Sequence, residues 1–136
     1  MNHLIEQFHQ QGLLDAPSAE RARVFLAEGK TLEEAILAAD GVSEESLLRA
    51  LAQMFDLQFV DLDKNPPTRE FLAGFPAGIL VRHQVVPVMD HDGVVTVAAS
   101  RVSNTTALDE LRLITGKEFQ LALATTSEID RTLKRW

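Results

Sequence analysis

The chain has 136 residues and no cysteine, is 46% hydrophobic and 24% charged, and carries a formal net charge of −7. That length allows one domain or two very small ones, too short for a nucleotide-driven motor or a kinase, and the composition is that of a folded domain. Without cysteine there is no disulfide, thiolate zinc site or cysteine nucleophile. An acidic chain also lacks the clustered Lys/Arg surplus that nucleic acid or anionic lipid requires.

The first part of the chain reads as short helices. Leu4, Ile5 and Phe8 followed by Gly12 predict an opening helix with a glycine stop. Asp15, Ala16 and Pro17 start a second helix, because proline is tolerated in the first turn, and Gly29 ends it. Thr31 and Glu34 have the spacing of a capping box ahead of Leu32, Ala35, Ile36 and Ala39, with Gly41 as the stop. Ser43 caps a fourth helix whose Leu47, Leu48, Leu51, Met54 and Phe55 make a wide apolar stripe.

The rest mixes strands and helices. Residues 59–62 read as a strand, and Asn65, Pro66 and Pro67 break it. Thr68 caps a helix through Phe71 and Leu72, and Pro76 opens another carrying Ile79, Leu80 and Val81. Two β-branched runs, 85–89 and 94–99, are joined by Asp90, His91, Asp92 and Gly93, which predicts a β-hairpin. Pro87 has no N–H for a ladder, so its strand belongs at an edge. Ser103 or Asn104 caps a helix bearing Ala107, Leu108, Leu111 and Ile114, closed by Gly116. A strand over 119–123 follows, and Ser127 caps a last helix with Ile129 and Leu133 inward.

These elements predict an α+β chain. A small helical subdomain (1–57) precedes a small mixed α/β subdomain (58–136) of order β-α-α-β-β-α-β-α that contains the hairpin. The charge divides with them: residues 1–62 hold 11 acids and four bases, and residues 63–136 hold nine of each. The chain start has neither a basic n-region nor an apolar h-region. The longest apolar stretch, 71–81, is interrupted by Gly74, Pro76 and Gly78 and falls short of the ~20 residues of a spanning helix. The expected location is cytoplasmic, without direct membrane insertion.

Catalytic patterns are missing from the sequence. It has no G-x-x-x-x-G-K-[ST], G-x-G-x-x-G or G-x-S-x-G. His3, His9, His83 and His91 form no H-x-x-x-H pair and read as solvated side chains, and Glu33-Glu34 and Glu44-Glu45 complement helix N-termini. No enzyme activity, metal or cofactor is expected.

Several segments together are more specific. They are LRALAQMFDLQFVDL (48–62), VVPV (85–88), GVVTVA (93–98), ALDEL (107–111), TG (115–116) and SEI (127–129). In order and spacing, over residues 30–136 and more loosely before, they resemble the N-terminal domain of type II secretion and type IV pilus assembly ATPases. The resemblance implies a non-catalytic docking domain that precedes a motor domain of the same ATPase. It would bind the cytoplasmic domain of an inner-membrane platform protein and be peripheral to that membrane through its partners. ATPase activity would belong to the motor domain, and the chain would be the front end of a longer one.

The acidic residues Glu33, Glu34, Glu44 and Glu45 are the candidate docking residues, because a single-sign face steers a basic partner. Arg101 joins them, standing where the family has a small residue followed by Asp-Pro. In the MshE-type branch the domain binds cyclic di-GMP through tandem motifs that start R-L-G-x-x-L. Laid from Thr31, Leu32, Ile36, Leu37, Val42, Leu47, Ala50 and Leu51 match apolar positions. Thr31 stands for Arg, Glu33 and Asp40 for Gly, with Gly41 one residue late, and Met54 for Gln. The first copy, from His3, keeps Leu4, Phe8, Gly12, Leu14 and Ala22 but has no Arg and no Gln. A diphosphate ligand needs cationic or N–H partners, so these substitutions argue against cyclic di-GMP binding. A stand-alone regulator that reuses the fold is a further alternative.

Overall fold

The computed structural model describes residues 2–39 and 42–135, so the expected helix stop at Gly41 lies outside the described residues. The chain divides into two compact units, residues 1–47 and 48–136, and the division falls within a helix, α4 (Glu44–Met54).

In the first unit α1 (Asn2–Gln10), α2 (Ala16–Ala27) and α3 (Leu32–Ala38) follow one another, and α2 packs against both of the others. Local sequence explains each boundary. Asp15 Oδ1 accepts from Ser18 N–H at 2.8 Å, and this bond holds the Asp15 carboxyl below the usual carboxylate range. Gly29 takes a φ of +98° just past α2. The capping box forms in both directions: Thr31 Oγ1 accepts from Glu34 N–H at 3.2 Å and Glu34 Oε1 accepts from Thr31 N–H at 3.3 Å. Arg21 bridges α2 to the end of α3, donating to Ala39 O at 2.9 and 3.3 Å and to Ser18 Oγ at 3.1 Å. Ser43 Oγ accepts from Ser46 N–H at 3.2 Å and starts α4.

The second unit contains β1 (Gln58–Phe59), α5 (Arg69–Ala73), α6 (Ala77–His83), β2 (Val86–His91), β3 (Val94–Ala99), α7 (Thr106–Thr115), β4 (Glu118–Leu123) and α8 (Thr126–Lys134). This is the mixed order the sequence predicts. The sheet order is β1-β4-β3-β2, with β1, β4 and β3 parallel and β2 antiparallel to β3. Pro87 lies in the edge strand β2, where the register slips between Pro87 and Met89. Pairing continues to His91 opposite Val94, so the hairpin loop is only Asp92 and Gly93, with φ of 53° and 85°. Val95 and Val97 on one face of β3 and Ala98 on the other are fully buried, among a core that includes Leu111 and Ile129.

Three boundaries differ from the sequence expectation. The strand expected over 59–62 has a two-residue ladder, extended by Val60 N–H to Leu123 O at 2.9 Å. Asp61 turns the chain instead, accepting from Lys64 N–H at 3.1 Å. Asn104 does not cap α7. Its side-chain amide donates to His83 O at 3.0 Å at the end of α6, and α7 starts after Thr105 with no side-chain cap. Thr125, not Ser127, caps α8: its Oγ1 accepts from Glu128 N–H at 3.4 Å.

Candidate functional site

By unit, the charge is sharply divided. Residues 1–47 carry nine acids and three bases, and residues 48–136 carry eleven and ten. Two of the three bases are engaged at home: Arg21 on Ala39 O, and Arg23 on Glu6 at 2.6 Å and Glu20 at 3.3 Å. Glu34 and Glu45 are exposed, and Glu44 is half-buried. Glu33 is only 5% exposed, because α3 turns Leu32, Glu33, Ala35 and Ile36 inward together. A charged residue next to an inward leucine on a seven-residue helix reads as solvated in the sequence, and only packing reveals its burial. Arg101 is exposed in the loop between β3 and α7.

The residues aligned with the nucleotide motif serve helix ends and packing. Thr31 Oγ1 donates to Glu34 Oε1 at 2.8 Å as well as capping α3. Leu32 and Leu51 are buried, and Leu37 and Met54 are half-buried. Gly41 lies outside the described residues.

Two histidines depart from the solvated reading. His9 Nδ1 lies 2.9 Å from Leu14 O, so that nitrogen carries the proton and closes the turn after α1. His83 Nε2 lies 3.2 Å from Glu110 Oε1, and Arg82 reaches Glu110 Oε2 at 2.6 Å, which ties α6 to α7. No cluster of three metal-ligating side chains occurs among the described residues.

A polar clasp in the second unit went unrecognised as a unit in the sequence. Glu128 is 8% exposed; its Oε2 accepts from Asp63 N–H at 3.1 Å and its Oε1 from Thr125 Oγ1–H at 2.8 Å. Arg131 pairs with Asp63 at 2.7 Å, and that carboxylate holds the guanidinium above its ordinary value. The Lys64 N–H beside Asp61 holds its carboxyl below the usual range, with Glu128 adding a smaller effect. The clasp joins the loop after β1 to the first turn of α8. Its only sequence signal was the SEI segment at 127–129.

No helix among the described residues is long and apolar enough to cross a membrane. The family model of the MshEN domain matches residues 55–136. A solved structure of MshE with cdg superposes with a TM-score of 0.83 at 18% identity, covering 98% of this chain and 97% of that one. The N-terminal domain of XpsE in one crystal form gives 0.73 at 24% identity, covering 97% of this chain and 92% of that one. A second crystal form of that domain gives 0.61 at 27% identity, covering 98% and 94%. No curated protein matches the chain. With the family matched over more than half of its length and the fold shared over nearly all of it, the chain belongs to the MshEN domain family, the N-terminal domains of secretion and pilus-assembly ATPases.

Proposed function

We propose that this chain is a non-catalytic docking domain of a type II secretion or type IV pilus assembly ATPase. It binds the cytoplasmic domain of an inner-membrane platform protein, beside the motor domain of the same ATPase, and is cytoplasmic and peripheral to the inner membrane. The observation that carries the reading is the acidic unit at residues 1–47, with nine acids against three bases while the remainder is nearly neutral. Its exposed carboxylates favour a basic partner surface and accelerate encounter at low salt. Glu45 is the contact to test, because Glu33 is buried and Glu34 closes the capping box of α3, so that replacing either would confound folding with binding. The variant Glu45→Lys is expected to weaken binding to the platform's cytoplasmic domain severalfold, with a shallower salt dependence. Unchanged affinity in a calorimetric titration against that domain sinks the reading.

A second reading, a cyclic di-GMP sensor, has one observation in its favour: the likeness in fold to MshE with cdg. The residues of this chain argue against it. Thr31 stands at the motif's Arg and is engaged by Glu34, and Glu33 fills a glycine position with a buried carboxylate. Calorimetry with cyclic di-GMP is expected to give no heat of binding at micromolar ligand, and a saturable isotherm there would reverse the order of the two readings.

A further inference from the structure

The second unit holds a cavity of about 500 Å³ between α5, α6 and α8. Leu72, Phe75 and Leu80 are the buried part of its lining. Val81, 56% exposed, and the half-buried Leu133 stand nearer its mouth. Among the described residues that line it, Arg69 alone is charged, and it is exposed.

Two features keep this space from closing. The Phe75 ring is held by three neighbours: Phe71 at 5.3 Å and Phe119 at 6.2 Å between centroids, both edge-on, and Lys117 Nζ at 5.5 Å from the centroid. A ring braced in this way does not swing into the gap. The lining positions Ala73 on α5 and Ala77 on α6 are exposed and carry only a methyl group, so neither reaches across the opening. A preformed apolar concavity of this size, with one charged group at its edge, has the make-up of a small-molecule site. An apolar ligand there removes the lining from water, which is favourable in proportion to the area covered.

We propose that the cavity binds a small aliphatic carboxylate with a body of about eight carbons. The body lies on Leu72, Phe75 and Leu80, and the carboxylate meets Arg69. Arg69 already has a partner within the chain. Its guanidinium carries five N–H donors, so the carboxylate adds to that contact without requiring that it break. Because Arg69 is exposed, its charge sets a preference and burial of the body supplies most of the affinity. The cavity lies outside the acidic residues 1–47, so this proposal and the docking reading fail independently.

The probe is octanoate, titrated into the whole chain and followed by methyl NMR. Saturable shifts are expected at Leu72, Leu80, Val81 and Leu133. Hexanoate is expected to bind about tenfold more weakly, because it buries two methylenes fewer. Octanol is expected to bind severalfold more weakly than octanoate, and Arg69→Gln to remove that difference. Ala77→Phe fills the mouth from an exposed helical position and is expected to abolish binding with the far-UV circular dichroism unchanged. No saturable shift at millimolar octanoate overturns the proposal, as does full binding to the folded Ala77→Phe variant. Equal shifts at the exposed Leu113 and Ile114 would report unspecific apolar contact and overturn it too. An octanol affinity equal to that of octanoate does the same.

Discussion

Phe8→Ala is expected to lower the unfolding free energy by about 3–5 kcal/mol. The Phe8 ring is completely buried in α1, beside Leu4 and Ile5 in the sequence pattern, with Leu14 also buried after the turn. The same residue's carbonyl accepts from Leu13 N–H at 2.9 Å and Leu14 N–H at 3.3 Å, which closes the turn after α1. Truncation removes the transfer free energy of the ring and leaves a cavity that a three-helix unit can close only in part. Phe8→Leu retains most of the apolar volume and is expected to cost under about 1.5 kcal/mol. Urea unfolding followed by far-UV circular dichroism measures both. A loss under about 1 kcal/mol for Phe8→Ala is incompatible with a ring that fills the interior.

Glu128→Ala is the second large effect, expected at about 2–3 kcal/mol. The substitution leaves Asp63 N–H and the Thr125 hydroxyl without the carboxylate that accepts from both. It also removes the contact that holds the loop after β1 against α8 while Arg131 grips Asp63 from outside. The exposed Arg131–Asp63 pair by itself contributes little, so the buried acceptor decides the outcome. A cycle with Thr125→Val measures the coupling: the double variant is expected to lose clearly less than the sum of the singles. Strict additivity would show that Glu128 acts alone and that the clasp is not a unit.

These two residues illustrate what sequence reasoning reaches. Phe8 was legible as an inward residue because helical spacing is a local property, and Glu128 was visible only as part of a family-like SEI segment. The acidic asymmetry was countable, yet the burial of Glu33 was not, because α3's inward arc depends on what packs against it.

Local chemistry by itself determined the helix starts at Asp15, Thr31, Ser43 and Thr68, the stops at Gly29 and Gly116, the Asp92-Gly93 turn and the edge position of Pro87. Each depends on one or two residues meeting their own neighbours' backbone, so the sequence carries the whole cause. Tertiary structure alone decided the length of β1, the diversion of Asn104 to His83 O and the replacement of Ser127 by Thr125 as cap. Those outcomes turn on which of several competent donors and acceptors comes within reach once distant segments meet. That is a competition among partners far apart in the chain, and no local pattern records it.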